Sequence, residues 1–488
     1  MGAFLAWSGQ SRALGVAALA LAWSSSSSAS AQSVEATSPS EQPPTSEPDA
    51  GRLAAAPADA EQAGGAPSAV AAVQPSAAPP AVEVAVQGRS RSDRLRESAQ
   101  AVHVIDTEQA QRQSADLGEV LARSHGVSVR RDGGLGSGTR LSLNGLIDDQ
   151  VRVFLDGLPL RAAGYPFGIG NVPVNLIERV EVYRGVVPIR FGADALGGAI
   201  NLVSDEALRG SRAAASYQVG SFGTHRLTAS GRTLHEPSGF FARAVGFYDV
   251  AQNDYPVIVD LPDMLGREKP ARVYRFHDGY RAAGANIEGG LVDRPWARKL
   301  LLRAFTTDYR KELQNNVSMT VPYADRDLSE LTAGGTLHYQ HSFGYGLSAD
   351  AVGGYSYGQI RSRNPDRCSY DWFGQCIVEK QKPDPTDLTV WEHTALARAN
   401  LQWRWSPSQV LRASVAPTFV TRSDRDRADF RPRMREQGSV STIVSGLEHE
   451  LDLFDDRIAN IAFVKSYMQW ANSGEDVFFV RDRSTQRF

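Results

Sequence analysis

The 488-residue chain has no apolar run of the roughly 18 residues that a membrane-spanning helix needs; its longest, 13–23, has 11. Two cysteines, Cys368 and Cys376, are too few for a disulfide scaffold and lack the neighbours of a zinc site. There is no basic excess either. Lys plus Arg is 52 against 55 Asp plus Glu, a net charge of −3, which argues against a nucleic-acid partner. Aromatic residues are scarce early: eight precede residue 211 and 34 follow it. These shortages exclude a helical membrane protein, a zinc protein and a disulfide miniprotein. They also place a junction between two kinds of structure near residue 205.

A mean hydropathy of −0.31 has the value of a soluble protein. A transmembrane β-barrel gives the same average, because its strands alternate apolar and polar residues. Residues 1–31 read as a secretory signal. Arg12 precedes the apolar stretch, and a serine run leads to an A-x-A site at Ala29-Ser30-Ala31. Residues 32–81 are predicted to be a disordered tether. Positions 33–81 hold nine Pro and 15 Ala with no aromatic residue, too little apolar surface to offset the entropy of ordering.

From 82 to 205 the pattern predicts a small glycine-rich α+β domain. Short strands are expected at 82–86, 102–105, 127–130, 140–143, 151–155 and 179–183, and a helix at 115–122. Thr107 reads as a helix N-cap. Turn signals separate the strands at Asp132-Gly133-Gly134, Asn144-Gly145, Asp156-Gly157 and Arg184-Gly185.

From 206 to 488 the chain reads as β throughout. Ala397, Ala399, Leu401, Trp403 and Trp405 share one side of a strand, with Arg398, Asn400, Gln402 and Arg404 on the other. Leu331, Ala333, Leu337 and Tyr339 oppose Thr332, Thr336, His338 and Gln340 in the same way, and Leu411, Ala413, Val415 and Phe419 oppose Arg412, Ser414 and Thr418. Trp403, Trp405, Tyr355, Tyr357, Tyr339 and Trp470 have the placing of interfacial girdle residues. Short links at 235–239, 293–298, 343–346 and 406–409 alternate with long polar connections near 252–280, 314–329, 362–393 and 424–438, with one short exception at 220–223. Short turns on one rim and long loops on the other are the pattern of an outer-membrane barrel. About 11 strands are expected. A soluble sandwich also alternates, but seldom with so aromatic an outer face.

No catalytic constellation is present: there is no GxSxG, HExxH, Walker loop or GxGxxG in a βαβ setting. The chain reads as a non-enzyme with no cofactor and no metal site of its own.

Three stretches of the compact segment form an ordered series: ADLGEVLARSHGVSVRRDGGLGSGTRLSLNGL (115–146), VRVFLDGLPL (151–160) and LIERVEVYRGVVPIRFGADALGGAINLVSD (176–205). The series resembles the plug domain of TonB-dependent outer-membrane receptors. The matching residues are Asp156, Gly157 and Pro159, then Glu178, Arg179 and Glu181, then Arg184 and Gly185, and finally Gly192, Gly197, Gly198 and Asn201. Asn144 departs from the family, which carries Arg before that glycine; this puts in doubt a plug-to-barrel salt bridge at the position.

The resemblance implies a transmembrane β-barrel with an internal plug, in the cell outer membrane. Its function would be energised uptake of a scarce nutrient, a ferric siderophore or related metal chelate first, with cobalamin or a saccharide behind. It also implies a TonB-type inner-membrane partner, which pairs by strand addition with an extended segment; Val82, Glu83, Val84, Ala85 and Val86 match best. A passive channel, an adhesin-like surface binder or an inactive truncated receptor is the alternative. In an oxidising compartment Cys368 and Cys376 could close a small loop on the ligand-facing side. Family barrels close with about 22 strands, so the sequence predicts about half a barrel, with the eleventh strand at 458–470 and 471–488 opening an external loop.

Overall fold

The computed structural model describes Leu95 and residues 102–112, 117–147, 150–165, 168–185, 187–192, 197–204, 208–262, 265–316, 318–428, 437–453 and 458–473. The signal, the tether, the segment 82–86 and residues 474–488 lie outside the described residues.

The compact segment begins with β1 (Val102–Asp106), two short helices, Glu108–Arg112 and Leu117–Ala122, then β2 (Val127–Arg131), β3 (Thr139–Leu143) and β4 (Leu146–Ile147). It continues through β5 (Val151–Leu155), β6 (Leu158–Pro159), β7 (Ile177–Arg184) and β8 (Gly198–Ser204). One sheet runs β1-β7-β8-β5-β6 and a second β2-β3-β4. The β5 and β8 strands are parallel, and the other pairs of the first sheet are antiparallel. Strands β7 and β8 are buried along nearly their whole length, as a strand covered on both faces must be. Their Val180, Val182, Ile200 and Leu202 pack with Leu117, Leu121 and Leu143 into one core.

Asn144 and Gly145 both have positive φ, 51° and 83°, the geometry of a two-residue hairpin turn between β3 and β4. Thr107 stands at the N-cap position, directly before the helix, and its carbonyl accepts from the Gln111 N–H at 2.9 Å. Its hydroxyl donates to the carbonyls of Ile177 and Glu178, joining the helix start to β7. The nearness of those carbonyls across 70 residues of chain could not be seen locally.

The rest of the described chain forms an antiparallel sheet of 11 strands, matching the expected count. In sheet order they are β9 (Arg212–Gly220), β10 (Thr224–His235), β11 (Phe240–Ala251), β14 (Tyr280–Arg294), β15 (Ala297–Asn315), β16 (Pro322–Gly344), β17 (Leu347–Asn364), β20 (Thr386–Ser406), β21 (Gln409–Asp426), β22 (Gln437–Leu453) and β23 (Ile458–Ser473). Strands β9 and β23 are the two edges; among the described residues no strand closes the sheet by joining them.

Two hairpins stand in the long connections: β12 (Pro256–Pro262) with β13 (Glu268–Tyr274), and β18 (Cys368–Tyr370) with β19 (Cys376–Glu379). The connection expected at 314–329 is shorter, since β16 already starts at Pro322. Its first residues, Pro322-Tyr323-Ala324-Asp325-Arg326, mix apolar and polar groups without a clean alternation to read.

The alternation predicted for β16, β20 and β21 is present. Ile287, Leu302, Leu337, Leu401, Leu447 and Val464 all point outward at 50–71% exposure, an apolar face too large to leave against water. Trp403, Trp405, Tyr355 and Trp470 are exposed on that face; Tyr339 and Tyr357 are half-buried. The opposite face mixes charged residues such as Arg303, Glu330 and Lys311 with buried apolar ones such as Phe247, Phe305 and Val352, and the compact domain lies against it.

Candidate functional site at the plug, its wall and the outer loops

The centre of the compact domain is a buried polar network. Arg179 donates from Nε to Glu181 Oε1 at 3.0 Å, while Tyr183 Oη and Asn201 Nδ2 donate to Glu181 Oε2 at 2.8 and 3.0 Å. Asn201 Oδ1 accepts from the Gly157 N–H at 2.9 Å, so one amide ties β7 and β8 to the β5–β6 turn. Burial pushes the Glu181 carboxyl up. Asn201, Arg179, Tyr183 and Arg190 outweigh it and hold the group below the ordinary carboxylate value. Burial also raises the Tyr183 hydroxyl, which therefore stays a donor at neutral pH.

Asp156 turns the chain with φ 53° and accepts from Ser204 N–H and Oγ at 2.9 and 2.8 Å. Its carboxyl is pushed up by burial but held below the usual range by Arg303, Arg243 and Ser204. Gly198, at φ 120°, admits no side chain because a Cβ would strike the Tyr183 carbonyl.

The motif residues therefore mostly build the domain. Asp156, Gly157, Arg179, Glu181, Gly198 and Asn201 share these contacts; Gly197 packs on Leu146 and Gly192 against Ala416 of the wall. Arg184 donates to the His125 carbonyl, 2.7 Å away, next to the positive-φ Gly185. Pro159 and Glu178 are exposed.

The seam with the wall uses Arg398 and Asn400, read from the sequence as the polar side of their strand, and others the sequence did not single out, Arg161 first among them. Arg161 reaches Glu330 on β16 at 3.0 Å and Glu392 on β20 at 3.1 Å, and Arg422 on β21 meets Glu392 at 2.8 Å. Arg398 donates to the Gly157 carbonyl, Asn400 to that of Arg190 and Lys465 to that of Val187. Asn144 has no part in this seam; it is exposed at its turn, and the plug-to-wall ion pairs fall to Arg161 and to Asp156 with Arg303.

The glycine-rich loop 132–138 forms an apex under the connection 252–279. The Gly134 N–H donates to Tyr255 Oη at 3.1 Å, and Tyr309 Oη donates to the Gly136 carbonyl. Asn253 Nδ2 donates both to the Leu135 carbonyl and to that of Asp278, each at 2.9 Å. Gly136 lies flat on the Tyr280 ring, where a Cβ would collide. Asp278 is held in turn by Arg275 and Lys311 at 2.5 and 2.7 Å. Beside this connection, Trp372 is buried against Val259 and Val273 of the β12–β13 hairpin. Cys368 and Cys376, in the hairpin that carries Trp372, are bonded, with Cα atoms 5.5 Å apart.

Among the described residues no three His, Cys, Asp or Glu side chains converge as a metal site, and the arrangement contains seals and latches.

The TonB-dependent Receptor Plug Domain family matches residues 94–199. The vitamin B12 transporter BtuB of Vibrio vulnificus (strain CMCP6) is 31% identical over 135 residues, covering 26% of this chain and 22% of that protein. BtuB of Vibrio cholerae serotype O1 (strain M66-2) is 28% identical over 287 residues, covering 55% of this chain and 43% of that one. The chain thus spans less than half the length of these relatives. Among solved structures, the copper transporter OprC superposes with a TM-score of 0.59 at 15% identity, over 77% of this chain and 56% of that chain. The siderophore receptor PirA from Acinetobacter baumannii gives 0.55 at 14%, over 79% and 59%. At such identities the structures speak for the fold: a plug domain set against barrel strands. The compact domain thus belongs to the TonB-dependent Receptor Plug Domain family, and the wall has the fold of the barrel strands in these solved structures.

Proposed function

We propose that the chain serves energised uptake of a scarce nutrient across the outer membrane, with a metal chelate such as a ferric siderophore as the ligand class. It carries out no reaction of its own. The observation that carries this reading is the apex latch: one side chain, Asn253, holds the plug carbonyl of Leu135 and the loop carbonyl of Asp278 together. A ligand that displaces the outer loop then alters the plug directly. The names of the relatives and neighbours, which cover vitamin B12, copper and siderophores, support a nutrient of this kind without choosing among them.

Binding alone drives no net uptake, so the work comes from coupling to a TonB-type inner-membrane protein. We assign the coupling to Val82, Glu83, Val84, Ala85 and Val86, whose alternation suits strand addition. The test is growth and radiolabel uptake on ferric siderophores, vitamin B12 and copper, with and without the gene. A Val84→Pro variant accompanies it, since proline removes a backbone donor from the added strand. Uptake lost with ligand binding retained is the expected result; unchanged uptake in Val84→Pro points to a passive channel.

A further inference from the structure

The register of the wall sets outward-facing residues in rows. One row near the outer end runs Val250, Arg281, Arg310, Ser329 and Arg361, each the direct cross-strand partner of the next. Arg281 and Arg310 share their face with Ile287 and Leu302, which are 64% and 62% exposed, so both arginines stand on the lipid side. Like charges directly opposed in a sheet repel. Arg361 is neutralised by Asp387 at 2.7 Å. Arg310 has an exposed contact with Asp308 at 3.6 Å, and such pairs contribute little. Among the described residues no ion pair or hydrogen bond engages the Arg281 side chain.

Height along the wall identifies what neutralises the pair. Arg281 is one residue from the outer end of β14, which runs inward to its short turn after Arg294. At about 3.3 Å per residue and a tilt of about 40°, that run rises about 33 Å. The apolar band of such a barrel is about 25 Å tall, so the two guanidinium groups reach the headgroup level just beyond it. Tyr248 and Leu331, exposed on the same face nearer the membrane centre, offer apolar surface for acyl chains. Two guanidinium forks on neighbouring strands match a phosphate, which accepts bidentate hydrogen bonds from each.

We propose that Arg281 and Arg310 form a binding site for a phosphate on the headgroup of an outer-leaflet lipid, which replaces their mutual repulsion with a shared counterion. The proposal rests on reading the sheet as an outer-membrane wall. Its test uses the full chain in detergent, incubated with bisphosphorylated lipid A, with dephosphorylated lipid A or with inorganic phosphate, and native mass spectrometry to count bound molecules. Wild type should retain one phosphorylated lipid, and Arg281→Ala/Arg310→Ala should cut its occupancy at least tenfold. Arg298→Ala, exposed on the same face at the opposite rim, should leave it unchanged, and Arg281→Lys/Arg310→Lys should hold an intermediate amount. Equal retention by the double alanine variant, or equal retention of the dephosphorylated lipid, overturns the proposal. Retention of inorganic phosphate alone does so too. Failure of the wild-type chain to float with vesicles overturns the membrane reading and the site together; floating without phosphate-dependent retention overturns the site alone.

Discussion

At the scale of single residues the plug depends on Glu181, whose two carboxylate oxygens serve Arg179, Tyr183 and Asn201. Removing one member of a buried ion pair leaves the other charge uncompensated and costs about 3–5 kcal/mol. Glu181→Ala is therefore expected to destabilise the plug by that order, read as lost amide-exchange protection in β7 and β8 while the wall strands keep theirs. The same group gives a pH dependence. Its folded pKa is depressed, so its contribution is fully present above the ordinary value of 4.5 and is lost as pH falls through the lowered one. Exchange protection of β7 and β8 should accordingly hold from neutral pH to about 5 and weaken below about 4. A flat profile down to pH 3 would contradict the assignment. The sequence made Glu181 and Arg179 visible as a motif. It did not reveal Arg161, since Glu330 and Glu392 lie 169 and 231 residues further on.

At the scale of elements, the strands were legible wherever one face met lipid and the other the plug. The run Ala397 to Trp405 alternates because the membrane imposes two solvents on one strand. Beyond the membrane that constraint lapses. Residues Pro322 to Arg326 extend β16 without a clean apolar-polar alternation, and so read as loop. The β12–β13 hairpin was hidden for a related reason: its apolar Val257, Val259 and Leu261 are brief and have their partner, Trp372, in a distant connection. That partnership suggests a prediction. Closing a loop of this size with a disulfide stabilises by about 2–3 kcal/mol in the chain-entropy picture. Reduction, or Cys368→Ala with Cys376→Ala, should release the β18–β19 hairpin and expose Trp372. The measurement is iodide quenching of the fluorescence lost on Trp372→Phe; quenching unchanged by reduction would show that the cluster holds without the bond. The apex latch can be tried separately. Asn253→Ala should raise exchange at 132–138 several-fold without touching β7 and β8, because it removes both amide contacts at once.

For the whole molecule, the question is what keeps the plug seated against the inner face of the wall. Apolar contacts join them at two places: Val352 and Leu396 of the wall pack with the plug core, and Leu135 and Tyr165 of the plug pack with Phe247, Tyr280 and Tyr309. The polar part of the seam is made by charges and by carbonyls capped from the wall, Arg161 among them. Glu330 is 3% exposed at its side chain and pairs with Arg161, whereas Glu392 pairs with both Arg161 and Arg422. Losing Arg161 should therefore fall mainly on Glu330. Arg161→Ala is expected to cost about 3–5 kcal/mol of plug seating, seen as earlier release of the plug in urea and as raised ion leak in planar bilayers. Glu330→Gln removes the stranded charge, so the double variant should recover part of the loss, with a coupling of about 0.5–3 kcal/mol in a double-mutant cycle. A seam built this way has a functional consequence. If the plug moves as the proposed uptake requires, ion pairs and capped carbonyls can be exchanged one at a time for water, while the apolar contacts at Val352 and at Tyr165 have to be broken together. Strictly additive effects in the cycle would show that Arg161 and Glu330 do not act as a pair, and would leave the seating to the carbonyl contacts of Arg398, Asn400 and Lys465 and to the apolar contacts.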